Sequence, residues 1–370
     1  MKKTLPFLWR YLAVVMVSCL LAFVISQSKV DASATVKSNA NATPGYAVTT
    51  ASIGPYDSPG KFDINTTEAV WHDAVRHRDV PVRIFSPKMT QNKVEGATSG
   101  AFPVILFSHG LGGTREGGAI WGQHWASHGY IVLHLQHPGS DDAIWKGQSP
   151  SAAIDHLKTA HSIENSRLRI GDVTFALDEI ARLKQLKTMP WNSADLSHIG
   201  MSGHSFGSQT TLAVAGQKLP VPGFKSTRDD RIKAAIAFSP NARLKTALDT
   251  QFGSISMPFF SITGTKDAAV MNDGTKAEDR LIPYQKMPAG EKYLTVFEGG
   301  DHMVFGGHGL GGRRPETARD REIQADVKAG TQAFWDSTLK QDEVAKKWLT
   351  SRVDGGFKST LIAGDMFENK

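Results

Sequence analysis

The sequence predicts an α/β protein with a mostly parallel central sheet and helices on both faces. Two observations support this prediction. Short apolar runs alternate with segments whose apolar residues recur at the spacing of one helix face, which is typical of strand–helix–strand crossover units. Several of these runs are also apolar throughout, as expected for strands that are covered on both faces.

The predicted strands follow one another along most of the chain. Residues 80–85 alternate between apolar and polar positions, and residues 69–75 are expected to pair with them as an antiparallel edge. Buried strands are predicted at 102–107, 130–135, 199–202, 232–238, 259–263 and 293–297.

Helices are predicted between the strands, at 169–186, 208–215 and 316–339. Trp121 and Trp125 are four residues apart, so they are expected to share a helix face that packs into the core. The segment 138–165 fits neither period and is long for a connector. It is predicted to be an insertion, either a lid over the carboxyl ends of the strands or a peripheral element.

The composition is that of an ordinary globular protein. Of the 370 residues, 40% are hydrophobic and 21% are charged, which excludes collagen, a coiled coil, a disordered chain and a polytopic membrane protein. The thirteen histidines show no metal-ligand spacing, so neither a metal nor a cofactor is expected. The oligomeric state stays open.

The N-terminus has the pattern of a secretory signal. Basic residues precede an apolar run at 11–25, and an A-x-A motif ends at Ala34. We expect a signal peptide over 1–34 that is cleaved after Ala34, which would make the protein secreted or periplasmic. The alternative is an uncleaved anchor, but the run is short for a span of about 20 residues. Cys19, the only cysteine, lies inside the run, so the mature chain would contain no disulfide.

The net charge argues against a nucleic-acid partner. The formal charge of +6 falls to +3 when the four basic and one acidic residues of 1–34 are removed. This excess is too small for the clustered basic face that nucleic acids require.

The strongest motif is a G-x-S-x-G, Gly203-His204-Ser205-Phe206-Gly207. It follows the predicted strand 199–202 and precedes a predicted helix, and this placement is typical of a sharp turn that projects a serine hydroxyl at a helix N-terminus. The two glycines remove side chains that would clash where the strand and the helix approach each other. Ser205 is therefore the candidate nucleophile.

A serine nucleophile needs a base, and the base needs an orienting acid. In this architecture the chain order is serine, acid, histidine. Asp267 and His302 each follow a predicted strand, so both are expected at the same edge of the sheet as Ser205. The less well placed alternatives are Asp273, Asp279 and Asp301 as the acid, and His204 and His308 as the base.

Two backbone N–H groups are expected to stabilise a developing oxyanion. One belongs to Phe206, which follows the nucleophile, and the other to Leu111, in the glycine-rich loop 108–113 after an earlier strand. The pentapeptide HGLGG of this loop recurs at 308–312, where it overlaps a G-x-G-x-x-G pattern. No partner strand completes a dinucleotide-binding unit there, so we interpret 308–312 as the rim of the pocket.

Together these motifs resemble the α/β-hydrolase superfamily, and most closely the branch with platelet-activating-factor acetylhydrolase-like and dienelactone hydrolase-like proteins. The resemblance rests on residues 78–87, 102–113, 125–140, 202–210, 261–270 and 299–305. It implies an α/β-hydrolase fold, with a catalytic domain over 66–350 that hydrolyses carboxylic esters through Ser205, Asp267 and His302. Dienelactone hydrolases proper use a cysteine nucleophile, so their reaction does not carry over.

The remaining segments flank this domain. Residues 35–65 are rich in small and polar residues and are expected to form an N-terminal arm or linker, and 351–370 a C-terminal tail. We expect a secreted serine esterase whose partner is a small-molecule or lipid ester. The alternatives are an acyltransferase with the same triad and a non-catalytic binding protein on this fold.

Overall fold

A computed structural model of the chain describes residues 55–88, 102–221, 226–269, 274–307, 315–351 and 355–370. The predicted signal peptide 1–34, residues 35–54 of the predicted arm, Asp273 and the loop 308–312 lie outside the described residues. Within the described ranges, no helix has the length and apolar character needed to cross a membrane.

The centre of the described structure is one nine-stranded sheet. Its strands are β1 Ile64–Asp73, β2 Arg78–Pro87, β3 Phe102–Ser108, β4 Ile131–Leu135, β5 Ala194–His204, β6 Ile232–Phe238, β7 Phe259–Lys266, β8 Lys292–Asp301 and β9 Met366–Asn369. The spatial order is β1-β2-β4-β3-β5-β6-β7-β8-β9, and the six strands from β4 to β8 are parallel. β1 and β2 form the predicted antiparallel edge.

Helices cover both faces of this sheet, as predicted. The described helices are α1 Ala119–Ser127, α2 Pro150–Ala160, α3 Ile163–Gln185, α4 Phe206–Val214, α5 Leu248–Phe252, α6 Ile282–Lys286, α7 Ala318–Leu339 and α8 Glu343–Thr350. Apolar residues of α3 and α4 belong to the hydrophobic cluster on one face, and those of α1 and α7 belong to the cluster on the other.

The continuous apolar run of β3 follows from this layered arrangement. Val104 and Leu106 belong to one hydrophobic cluster, whereas Ile105 and Phe107 belong to the other. Because successive side chains of a strand point to opposite faces, a strand between two helical layers needs an apolar residue at every position. The α/β-hydrolase architecture predicted from the sequence is thus present.

The insertion 138–165 is more regular than the sequence suggested. It contains a 3₁₀ turn at Asp142–Ile144 and the helix α2, and α3 begins at Ile163, before the predicted start at 169. The only buried residues of α2 are Ala153 and Ala160, so its sequence lacks the apolar stripe of a helix that packs on the core.

The C-terminal residues complete the sheet rather than forming the separate tail that we expected. β9 pairs antiparallel with β8, and the rings of Phe357 and Phe367 pack edge to face with centroids 5.1 Å apart. A four-residue strand is too short for a detectable period, which explains why the sequence did not predict it. At the other end, Ile64 and Asn65 of the predicted arm already belong to β1.

A buried carboxylate ties α7 to this C-terminal segment. Asp326 is 1% exposed and accepts a hydrogen bond from Thr360 Oγ1 at 2.9 Å. Burial, with a smaller contribution from Asp365, raises the pKa of Asp326 from 3.8 to about 7. Because the folded chain binds this proton more tightly than the unfolded chain, the stability it contributes is complete below about pH 4 and is lost as the pH rises through 7.

Asp326→Asn is therefore expected to stabilise the protein at alkaline pH. An amide keeps an acceptor for Thr360 but carries no charge, so Asp326→Asn should raise the free energy of unfolding by about 2 kcal/mol more at pH 8 than at pH 5. Urea unfolding at the two pH values measures both quantities. An equal change at both would show that ionisation of Asp326 plays no part.

Candidate active site

The turn between β5 and α4 holds Ser205 in a strained backbone conformation. Its φ is 56° and its ψ is −114°, a region that residues with a side chain rarely occupy. The Ser205 N–H donates to the carbonyl oxygen of Phe238 at 3.0 Å, which fastens the turn to the end of β6. The serine thus lies at the N-terminus of α4 and at the carboxyl edge of the sheet.

The glycines on either side of Ser205 are required by the close approach of three backbones. A Cβ atom on Gly203 would lie 2.4 Å from the carbonyl oxygen of Gly207. A Cβ atom on Gly207 would lie 1.9 Å from the carbonyl oxygen of Ser108, at the end of β3. This crowding explains the spacing of the G-x-S-x-G motif.

The structure brings Asp267 and His302 into direct contact. Asp267 immediately follows β7 and His302 immediately follows β8, and these two parallel strands are neighbours. His302 Nδ1 and Asp267 Oδ1 are 2.7 Å apart, and Thr263 Oγ1 donates to Asp267 Oδ2 at 2.8 Å. Because its Nδ1–H donates to the carboxylate, the imidazole has Nε2 available as an acceptor.

The Asp267 carboxylate is fully buried, yet it stays ionised. Burial raises its pKa, but His302 and the guanidinium of Arg280 lower the pKa by more, so that it lies below its ordinary value. A buried acid in this state can stabilise positive charge on the imidazole that it contacts.

His204 connects this pair to the turn that carries the serine. Its Nε2–H donates to the carbonyl oxygen of His302 at 2.8 Å, and the two rings lie 4.7 Å apart. Burial, followed by the proximity of His302, holds the pKa of His204 well below its ordinary value. His204 is therefore a neutral packing residue. Its contacts with His302 hold that residue next to the turn that carries Ser205.

The described alternative acids have other partners. Asp301 accepts hydrogen bonds from the N–H groups of Met303 and Val304 and so caps its own loop. Asp279 accepts two hydrogen bonds from Lys245 Nζ. Among the described residues, no three potential metal ligands cluster together.

The loop after β3 runs alongside the serine. A Cβ atom on Gly110 would lie 3.4 Å from the Cβ atom of Ser205. The Gly112 N–H donates to Ser140, whereas the Leu111 N–H has no acceptor among the described residues. The Phe206 N–H is the first of α4, so it has no acceptor within the helix. Two backbone donors therefore lie on the loops that flank Ser205.

The insertion 138–165 packs over this loop and the turn. Trp145 Nε1 donates to the carbonyl oxygen of Gly112 at 2.8 Å, and a Cβ atom on Gly112 would lie 2.9 Å from Leu157. His161 packs edge-on against Phe206 with ring centroids 4.9 Å apart. An aromatic and aliphatic wall thus lies next to the two backbone donors.

Comparison with known proteins agrees with this architecture. The family model for platelet-activating factor acetylhydrolase, isoform II, matches residues 84–188. These similarities support a platelet-activating factor acetylhydrolase-like assignment within the α/β-hydrolase superfamily. Two relatives are the platelet-activating factor acetylhydrolases of Cavia porcellus, 28% identical over 61% of this chain and 51% of the relative, and of Bos taurus, 26% identical over 56% and 49%. The chain spans about half the length of these curated relatives.

The part of the chain that the family model matches includes Leu111 and the insertion, but it ends before Ser205, Asp267 and His302. The roles of those three residues therefore depend on the geometry described above. The strand-end placement of each could be read from the sequence, whereas their mutual contacts required the structure.

Arg280 is a residue of the site that the sequence did not indicate. It lies in a 3₁₀ turn at Ala277–Leu281 and is 4% exposed. Its guanidinium donates to the carbonyl oxygens of Asp267 at 3.1 Å and Ser239 at 2.9 Å, and its Nη2 lies 3.3 Å from His302 Nδ1. A lone arginine that follows two acidic residues gives no sign in the sequence that it is buried.

Arg280→Met is expected to move the acid limb of the pH profile of kcat/KM to higher pH, by about one unit. The cation opposes protonation of the coupled Asp267–His302 pair, so its removal lets the pair bind a proton more easily. Rates on a neutral ester from about pH 5 to pH 9 measure the shift. Lys245→Met, which removes an exposed cation, should leave the profile in place. An acid limb at the same or lower pH would contradict this prediction.

Proposed function

We propose that this protein is a serine hydrolase that cleaves short-acyl or lipid-like carboxylic esters through an acyl-enzyme intermediate. The observation that carries the proposal is a strained serine whose preceding residue, His204, is hydrogen-bonded to a buried carboxylate–imidazole pair. His302 Nδ1 lies 2.7 Å from Asp267 Oδ1, and His302 is bound through its carbonyl to the residue before Ser205.

The chemistry follows from the available atoms. Ser205 Oγ attacks the ester carbonyl carbon while His302 Nε2 takes the hydroxyl proton, and Asp267 stabilises the imidazolium that forms. The carbonyl oxygen becomes negative and accepts hydrogen bonds from two backbone N–H groups. When the tetrahedral intermediate collapses, the alcohol leaves with the proton from His302. Water then attacks the acyl-enzyme in the same way, releasing the acid and restoring Ser205.

The backbone N–H groups of Leu111 and Phe206 are the proposed donors to this oxyanion. Loss of one such donor typically lowers kcat by about 10²- to 10³-fold. The loop that carries Leu111 is fixed by the hydrogen bond from the Gly112 N–H to the Ser140 carbonyl oxygen. Phe206 is fixed because it is the first residue of α4. Donors held in this way need no reorganisation when the charge develops.

A short acyl group on a lipid-like alcohol is the proposed substrate class. The relatives are named acetylhydrolases of platelet-activating factor, which supports a small acyl group. Trp145 and Leu157 lie against the loop that carries Leu111, and an apolar wall so close to the donors favours a short acyl chain. We also propose export, because of the predicted signal peptide.

A panel of p-nitrophenyl esters of increasing acyl length tests the proposal. We expect acetyl and butyryl esters to give higher kcat/KM than octanoyl and longer esters, and a phospholipid with an acetyl group at its second position to be cleaved. Purified, folded protein that turns over none of these substrates would overturn the proposal. A preference for long acyl chains would overturn the substrate class alone.

A further inference from the structure

Arg169, on α3, is fully buried beneath the loop that carries Leu111. Its Nη1 donates to the carbonyl oxygen of His109 at 2.7 Å and its Nε to Ser140 Oγ at 2.8 Å. Its Nη2 lies 3.4 Å from both the carbonyl oxygen of Gly110 and His109 Nδ1. One guanidinium therefore contacts His109 and Gly110 in this loop and Ser140 in the neighbouring segment.

This cation has no counter-charge in contact with it. Among the described residues, no carboxylate lies within ion-pair distance of Arg169, and the nearby Asp172 is paired with Arg76, Arg78 and His137 instead. Burial lowers the pKa of Arg169 to about 9, which reflects the cost of holding this charge away from water. Asp172 and Asp141 act on Arg169 from a distance and favour its charged form, but every hydrogen-bond partner of the guanidinium is neutral.

The His109 and Gly110 carbonyl groups, which face Arg169, belong to peptides of the glycine-rich loop 108–113. The carbonyl of Gly110 and the N–H of Leu111 are in the same peptide unit, and so are the carbonyl of His109 and the N–H of Gly110. A donor bound to a peptide carbonyl polarises that unit and makes its N–H a stronger donor. Arg169 is thus placed to strengthen the N–H groups on the side of the loop that faces Ser205.

His109 acts on the same peptide. The backbone N–H of His137 donates to His109 Nε2 at 3.1 Å, so the ring proton is on Nδ1, from which it donates to the carbonyl oxygen of Gly110 at 2.6 Å. Burial, and then the cation of Arg169, hold the pKa of His109 well below its ordinary value, which keeps the ring neutral and this tautomer in place. The Gly110 carbonyl therefore receives two side-chain donors.

Phe206, the residue that carries the second backbone donor, also contacts Arg169 through its side chain. The guanidinium carbon lies 4.3 Å from the centroid of the Phe206 ring, a cation–π distance. The ring also packs edge-on against His161. The same cation therefore contacts the Gly110 carbonyl, whose peptide carries the Leu111 N–H, and the side chain of Phe206, which carries the second N–H.

We propose that Arg169 and His109 are positioning residues of the oxyanion site, which fix and polarise the Leu111 peptide so that the negative oxygen of the tetrahedral intermediate is stabilised. The inference rests on the proposed ester hydrolysis and deepens it. In this view the positive charge of Arg169, whose hydrogen-bond partners are all neutral, stabilises the peptide most when the oxyanion forms, so it lowers the barrier rather than improving substrate binding.

The test compares an ester with its thionoester, whose sulfur is a poor hydrogen-bond acceptor, in Arg169→Met and His109→Leu. Arg182→Met, which removes an exposed arginine from the same helix, is the control. We expect kcat for the ester to fall about 10- to 100-fold in Arg169→Met, with KM nearly unchanged. The thionoester should lose much less, so the ratio of ester to thionoester rates should fall about tenfold. Arg182→Met should match the wild type in both.

A structural role alone predicts a different outcome. A folded Arg169→Met protein that retains the wild-type rate ratio, or that loses the same factor on both substrates, would overturn the inference. If Arg169→Met does not fold, His109→Leu gives the same comparison. Ser205→Ala distinguishes failure of the proposed function from failure of this inference. Ester turnover that survives in Ser205→Ala would overturn the proposed function. An inactive Ser205→Ala together with an unchanged rate ratio in Arg169→Met would overturn only the role of Arg169.

Discussion

Ser205→Ala is expected to lower kcat for p-nitrophenyl acetate by about 10⁴-fold or more, while the protein stays folded. Without the hydroxyl no acyl-enzyme forms, and only the slower direct attack of water at the oxyanion site remains. The serine is the one residue of this turn whose side chain is not needed to build it, since its contacts to Phe238 and Ser208 go through backbone atoms.

Steady-state rates and the circular dichroism spectrum of the variant measure both parts of this prediction. Ser337→Ala, on α7, is a matched control that removes a serine hydroxyl bonded only to a helix carbonyl. It should retain the wild-type rate. A Ser205→Ala protein that keeps more than about a tenth of the activity would exclude Ser205 as the nucleophile.

Asp267→Asn is expected to lower kcat by about 10³- to 10⁴-fold. The carboxylate accepts the Nδ1 proton of His302 at 2.7 Å and so leaves Nε2 free to take the serine proton. An amide at this position can present its NH₂ group to Nδ1, which favours the other tautomer and blocks Nε2. The amide also removes the negative charge that stabilises the imidazolium.

The control for this prediction is a variant of Asp279, the alternative candidate for the acid. Asp279 is bonded to Lys245 at the surface, so Asp279→Asn should change kcat far less than Asp267→Asn does. Both variants are assayed for kcat on the same ester and for thermal stability. A larger loss in Asp279→Asn than in Asp267→Asn would reverse the assignment of the acid.

The positions of Ser205, Asp267 and His302 could be predicted because each follows a strand. The carboxyl ends of neighbouring parallel strands meet at one edge of the sheet, so strand order alone brings these residues together. The G-x-S-x-G spacing is likewise local, since Gly203 and Gly207 are needed by backbones that cross within a few residues.

Arg169 and Arg280 could not be predicted in the same way. Each reaches the site from an element that has no fixed relation to a strand end, α3 for the first and a 3₁₀ turn for the second. In the sequence both look like exposed charges on a polar face, and their burial results from tertiary packing. The helix α2 and the strand β9 were missed for a related reason, because neither carries enough buried residues to produce a period.

Labelling with a fluorophosphonate, followed by peptide mapping, is the most direct test that His302 and Asp267 activate Ser205. Such a probe reacts with a serine only when a neighbouring base activates its hydroxyl, so it reports the Ser205–His302–Asp267 arrangement without depending on the choice of ester. We expect a single adduct on Ser205 in the wild-type protein and none in His302→Gln. An adduct on a different residue, or a folded wild-type protein that is not labelled, would contradict it.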